Sequence, residues 1–290
     1  MTGGPISSTV QAWELGLRLR EHRDRLGLTA AFVGRTTGMG STNLSAAESG
    51  KRRLTAARLA ELASLYELPG GELTELERLR ADTERREWWH DHAHLHPDEL
   101  VRMFGLEAGA ERVAEFAPDI VPGLLQTADY ARAVMCAGTP YTRPVDVGPR
   151  LETRLARQAR LDGDHPLKVD VLLGEAALRQ RIGGPGVMRG QLAHLLGVVA
   201  GKGDRVRLRV VPFTAGAHPL LGAALRIMSF PSPRLRDVVY QETAISGVLI
   251  DRPRVILEST ASYAETFDLA LGERDSQEFI RRVHDEMEQP

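Results

Sequence analysis

The chain has one cysteine, Cys136, in 290 residues. That excludes a disulfide within the chain and a multi-thiolate metal site built from a single copy. Long apolar runs are missing as well. The longest uncharged stretch, Val210 to Leu225, contains Pro212, His218 and Pro219 and falls short of the ~20 apolar residues a membrane helix needs, so no membrane partner is expected. The opening MTGGPISSTVQ has neither a basic nor an apolar segment, so no signal peptide is read and a reducing, cytoplasmic setting is expected. Aromatic residues make up only 5%, and of the 37 basic residues only Lys51, Lys168 and Lys202 are lysine. Catalytic signatures are also lacking. No G-x-S-x-G elbow, G-x-x-x-x-G-K-[ST] loop or G-x-G-x-x-G turn occurs, and Gly183-Gly184-Pro185-Gly186 lacks the spacing of a phosphate loop. No cofactor, no catalytic residue and no enzymatic activity are expected.

What is present supports a folded chain of two domains. The composition is 42% hydrophobic and 26% charged, enough for a sizeable core, and domains average roughly 100–200 residues. The net charge of −2 argues against a nucleic-acid partner only until it is divided by region. From Glu14 to Arg58 nine basic residues stand against four acidic ones, a balance of +5 that leaves −7 for the remainder. A small basic module joined to a larger acidic domain follows from this asymmetry.

The basic module reads as four or five short helices. Leu15, Leu19, His22 and Leu26 recur at helical spacing and Gly27 follows as a stop. Thr29 is placed to cap a second helix containing Val33 and Gly34, Gly38-Met39-Gly40 makes a tight turn, and Ser41 to Ser49 forms a third helix closed by Gly50. A fourth starts at Thr55, with Leu59, Leu62, Leu65 and Tyr66 on one face and Pro69-Gly70-Gly71 at its end. Two short helices joined by a glycine-containing turn describe a helix-turn-helix, whose second helix enters the major groove. Its leading residues here are Ser41, Thr42, Asn43 and Ser45, with Asn43 suited to adenine. Lys51-Arg52-Arg53 follows where phosphates would run, and Thr29 and Arg35 complete the expected DNA-contacting set. On charge alone, a helical bundle with a solvated basic face is the plainer reading.

The pattern Leu28-Thr29, Gly38, Leu44-Ser45, Glu48 and Gly50-Lys51-Arg52-Arg53 resembles the XRE, or Cro/C1-type, helix-turn-helix family. That resemblance implies an all-α domain that binds double-stranded DNA. Three positions depart from the family pattern: Ala30 where a polar residue is usual, His22 where an apolar one is usual, and Gly40 where a serine often caps the recognition helix.

Residues 72–97 read as a helical linker. Leu73, Leu76 and Leu79 form its apolar stripe, its polar faces are solvated, and Trp88-Trp89 ends it. The run His90-Asp91-His92-Ala93-His94-Leu95-His96 offers imidazoles suited to zinc, nickel or copper. With no H-E-x-x-H and no neighbouring cysteine, it reads as an exposed polar segment rather than a metal site.

Beyond Pro97 helices and strands alternate. Strands are expected over 112–117, 167–173, 206–211, 225–230 and 238–241, and helices over 126–136, 150–161 and 186–201, with a helical tail over 254–288 that restarts near Ser276. This gives a multi-domain chain, with an all-α helix-turn-helix domain over 1–71 and an α+β domain, a mixed sheet with helices, over 98–290. Glu107, Glu175 and Glu242 are candidate paired carboxylates, but salt bridges to arginines such as Arg154 and Arg157 are the favoured reading.

The segment Val121-Pro122-Gly123-Leu124-Leu125-Gln126-Thr127-Ala128-Asp129-Tyr130-Ala131 resembles the hallmark of the DUF5753 domain. Arg157-Gln158, Glu175-Ala176-Ala177-Leu178, Gly183-Gly184, Gln191-Leu192, Val211-Pro212-Phe213 and Val238-Val239-Tyr240 follow in matching order. Chains pairing the two domains are similar to the Scr1-type, antitoxin-like transcriptional regulators of actinobacteria. The resemblance implies a sequence-specific DNA-binding regulator, a homodimer reading two half-sites, whose second domain binds a small protein, such as a DUF397-type partner, or a ligand. Glu107, Gln126, Tyr130, Arg157, Glu175 and Glu242 are the candidate partner- or ligand-binding residues. The alternative is an antitoxin or adaptor acting mainly by protein contact.

Overall fold

A computed structural model describes residues 5–137, 143–243 and 247–287. The chain divides into two compact units, the first running to His90 and the second beginning at Asp91.

Among the described residues the first unit contains five α-helices: α1 (Ser8–Arg25), α2 (Ala30–Thr36), α3 (Ser41–Glu48), α4 (Ala56–Leu65) and α5 (Gly70–Asp82). Leu15 and Leu19 of α1, Val33 of α2, Leu44 of α3 and Leu59 and Leu62 of α4 meet in one buried core. Helix α1 stops where Gly27 turns left-handed, at φ +65°, and the amide of Leu28 reaches back to the Arg23 carbonyl, a glycine-dependent closure. Helix α5 differs from the linker expected over 72–97. Its Leu76 and Leu79 are buried in the same core as Leu19 and Leu62, and Arg18 of α1 holds Glu72 through two hydrogen bonds of 3.0 and 2.7 Å. The apolar stripe was visible in sequence, but a stripe does not say which surface covers it.

The second unit carries a six-stranded sheet of order β3-β2-β1-β4-β5-β6, with β1 (Arg112–Ala117), β2 (Lys168–Gly174), β3 (Val206–Val211), β4 (Leu225–Ser229), β5 (Val238–Glu242) and β6 (Gly247–Ile250). Strands β1 to β3 pair in parallel, whereas β4 to β6 pair antiparallel. The sheet is therefore mixed, as expected of an α+β domain. Helices α6 (Asp98–Gly109), α7 (Ala128–Ala137), α8 (Val147–Arg157), α9 (Glu175–Arg179), α10 (Pro185–Lys202), α11 (Pro253–Leu269) and α12 (Glu273–Glu286) complete it. The helical tail thus breaks at residues 270–272 and restarts at Glu273; Glu288 lies outside the described residues. Helix α6 and strand β6 were not anticipated from sequence.

Because side chains alternate across a sheet, the two faces differ in chemistry. One face presents Phe116, Leu172, Leu225, Ile227 and Val239 to Ile256, Tyr263 and Phe267 of α11. On the other, Glu115, Arg226 and Tyr240 stand side by side in register across β1, β4 and β5.

Candidate functional site

The turn between α2 and α3 is built on backbone proximity. A Cβ on Gly34 would lie 2.6 Å from the Ser41 nitrogen, so only glycine lets the two helices approach this closely. Gly38 and Gly40 take φ of +65° and +80° within the turn, and the Gly40 amide donates to the Gly34 carbonyl at 3.0 Å. Thr29 caps α2, its hydroxyl accepting from the Phe32 amide at 3.1 Å. Arg58 reaches from α4 to the Thr37 carbonyl at 2.5 Å, closing the other end of α2. Helix α3 has no side-chain cap, since Gly40 occupies the capping position.

Beneath α3, Glu48 is buried and bound by Arg23 at 2.6 and 2.9 Å, while the same guanidinium donates to the Leu28 carbonyl at 2.8 Å. The hydrogen bonds to Glu48 raise the Arg23 pKa above its ordinary value, and the pair fixes α3 against α1. His22, at a position where the helix-turn-helix pattern favours an apolar residue, is mostly buried and lies 3.2 Å from Glu72. The hydrogen bond from Arg18 holds the Glu72 carboxyl below the usual carboxylate range.

Of the expected DNA-contacting residues, Thr29, Arg35, Ser41, Thr42, Ser45, Lys51, Arg52 and Arg53 are exposed, and Asn43 is half-buried. Asn43 is engaged within the module: its amide group donates to the Met39 carbonyl at 2.9 Å, and its oxygen accepts from Arg52 at 3.1 Å. An adenine contact by Asn43 competes with these two bonds. Phe32 is an exposed apolar side chain on α2, at 43%.

The second unit gathers four of its six candidate residues. Arg157 of α8 binds Glu107 of α6 through two hydrogen bonds of 2.8 Å, and Arg226 of β4 reaches the same carboxylate at 2.9 Å and Glu115 at 2.8 Å. Glu107 is 1% exposed; burial works to raise its pKa, yet Arg157 and Arg226 hold it below the ordinary value. The segment 121–127 locks onto α8. Gln126 donates to the Val121 carbonyl at 2.6 Å and accepts from Arg154 at 2.8 Å, and Gln158 donates to the Gly123 and Gln126 carbonyls. A Cβ on Gly123 would meet the Arg157 guanidinium at 3.2 Å. Tyr130 accepts from the Val121 amide through its hydroxyl at 3.2 Å.

Glu175 and Glu242 do not pair with Glu107. Glu175 binds Arg179 at 2.6 Å and the Phe213 amide at 2.8 Å, and Glu242 is exposed at the end of β5. Gln191 entered the sequence reading only as part of the resemblance and not as a candidate residue; it is fully buried, accepts from the Thr127 amide and donates to the Leu125 carbonyl at 2.7 Å each, and Arg226 and Glu115 were not candidates either. Their partners lie 60 or more residues away, a separation that no local pattern signals.

The histidine run is dispersed. His90 accepts from the Glu87 amide at 3.2 Å, His92 lies 3.4 Å from Glu152, and His96 packs edge-on to Phe104. Among the described residues no group of three or more His, Cys, Asp or Glu side chains is gathered as a metal site, and no helix is long and apolar enough to cross a membrane.

Compared with known families, residues 14–76 match a helix-turn-helix domain, and residues 100–282 match a domain of unknown function (DUF5753). No curated protein and no solved structure matches the chain. The helix-turn-helix match points to a DNA-binding regulator rather than an enzyme.

Proposed function

The chain belongs to the DUF5753 family, and from that premise, with a helix-turn-helix domain ahead of it, we propose a sequence-specific DNA-binding transcriptional regulator. Its second unit binds a small protein, such as a DUF397-type partner, or a ligand that modulates DNA binding. The observation that carries the reading is the α2–α3 turn. Gly34 packs on Ser41, so the exposed hydroxyls of Ser41, Thr42 and Ser45 lead α3 outward, with exposed Lys51, Arg52 and Arg53 just beyond it. Short polar side chains suit base edges, and the cations suit phosphates.

Because Asn43 is engaged by Met39 and Arg52, base discrimination rests chiefly on Ser41, Thr42 and Ser45. Helix-turn-helix proteins read two half-sites about one helical turn apart as dimers, so the working form is a homodimer acting in the cytoplasm. Modulation requires that the partner or ligand bind the DNA-competent and DNA-incompetent states with different affinity.

Selection of duplexes from a random library, followed by binding measurements on the enriched sequence, tests the function. Enrichment of a two-fold symmetric site bound at least about a thousandfold more tightly than random DNA supports it. Absence of any enriched sequence contradicts it.

A further inference from the structure

Arg150, Arg154 and Arg157 follow one another at i, i+4 and i+7 on α8, which places them on one helix face. Their charges are not equally matched. Arg157 is held by Glu107, and Arg226 shares Glu107 and Glu115. Arg154 has instead the neutral carboxamide of Gln126 at 2.8 Å, and among the described residues no carboxylate lies within ion-pair distance of it. A guanidinium withdrawn from water beside two others is costly without an anion.

His96 borders the same region. Its ring meets Phe104 edge-on at 5.3 Å, and the guanidinium of Arg157 lies over that Phe104 ring at 5.1 Å. The Nε2 of His96 is buried and has no hydrogen-bond partner among the described residues. The surroundings are consistent with this geometry. Burial, reinforced by Arg157, depresses Arg154 to about 10, although the exposed Glu242 works in the other direction. Burial, reinforced by Arg150, Arg154 and Arg157, lowers His96 to about 4.

We propose that the second unit binds a small oxyanion, a carboxylate or a phosphate, at the α8 face formed by Arg150 and Arg154 beside His96. This names the ligand class for the ligand-binding half of the function proposed above and rests on that reading. The guanidinium fork of Arg154 accommodates two oxygens of such a group. Arg154 has donors left over from Gln126 and no carboxylate partner among the described residues, and His96 Nε2 has no hydrogen-bond partner among them, needs that one bound anion would meet. Arg154 is half-buried, which fits a small ligand better than a protein surface.

The test is isothermal titration calorimetry of the full-length protein with sodium phosphate and, separately, sodium acetate, each against sodium chloride at matched ionic strength. Saturable binding of one anion per chain is expected from at least one of the two. Phosphate alone assigns a phosphoryl ligand, and acetate alone assigns a carboxylate. Arg154→Gln is expected to weaken binding about tenfold, the loss of one charge-assisted contact. Arg150→Gln, at the rim of the same face, is expected to weaken it in the same direction and carries the comparison if Arg154→Gln does not fold. Absence of saturable binding of either anion to the wild-type chain, or unchanged binding in whichever variant folds, overturns the proposal. DNA affinity of the same samples, measured without added anion, separates this outcome from failure of the regulator reading.

Discussion

Arg23 grips Glu48 with two hydrogen bonds, at 2.6 and 2.9 Å, across the interior of the first unit. Each residue is under a tenth exposed, so the pair joins α1 to α3 where apolar packing would ordinarily do so. A buried ion pair contributes little net stability relative to an apolar pair, but removing one partner strands the other. Glu48, at the end of α3, is therefore a structural member, and in the proposed function DNA contact is left to the exposed residues around it.

Glu48→Ala takes from the buried Arg23 guanidinium its interior carboxylate, leaving it the Leu28 carbonyl and the exposed Asp24, and is expected to cost about 3 kcal/mol. Urea denaturation followed by circular dichroism measures the loss. The double variant Arg23→Ala with Glu48→Ala should be less destabilised than the two single losses combined, and strict additivity would show that the pair is not coupled.

Glu67 has φ +51° and is the sole non-glycine residue with positive φ among those described. It follows the end of α4, where glycine is favoured. Glu67→Gly should stabilise the protein by about 1 kcal/mol, since left-handed backbone costs a side-chain-bearing residue of that order. The thermal midpoint of the variant should rise.

In the second unit Glu107→Gln removes the carboxylate shared by Arg157 and Arg226. A loss of about 3–5 kcal/mol is expected, with DNA affinity little changed in whatever fraction remains folded. Hydrogen exchange read by mass spectrometry should localise the loosening to α6, α8 and β4, and a uniform change over the chain would contradict the assignment.

His96 sets an acid limit. Its pKa in the folded protein is depressed to about 4 from 6.5, so between those values the unfolded chain binds a proton that the native state excludes. Its contribution is fully present above about pH 6.5, is lost as pH falls toward 4, and levels off below. Melting temperatures at pH 7.5 and pH 5 should differ less for His96→Gln than for the wild type, and an equal difference would remove His96 from the account.

Much of the fold was legible in the sequence. Strands β1 and β3 fall on the residues expected, β3 because Val206 to Val211 alternates. The helix ends at Gly27 and Gly50 were marked by glycines that take left-handed backbone. Less legible was what each apolar stripe covers: Leu76 and Leu79 look the same in a linker as in a core. Strand β6 is four residues long at a sheet edge, too short for its alternation to stand out. At the candidate site, residue types on α3 were readable, but the bonds that occupy Asn43 join residues four and nine positions away and depend on how the turn folds. The Glu107–Arg157–Arg226 cluster was half anticipated, since a salt bridge from Glu107 to an arginine such as Arg157 was the favoured reading of that carboxylate. Arg226 did not, because pairing across a sheet has no local signature.

In the proposed function Lys51, Arg52 and Arg53 of the first unit contact phosphates, and the salt dependence of DNA affinity tests this most directly. On a selected duplex, the logarithm of the association constant should fall linearly with the logarithm of salt concentration, with a slope of about −0.9 per phosphate neutralised. Replacing Lys51, Arg52 and Arg53 together by Ala should make that slope shallower by up to about 3. An affinity indifferent to salt, and to these three substitutions, would contradict it.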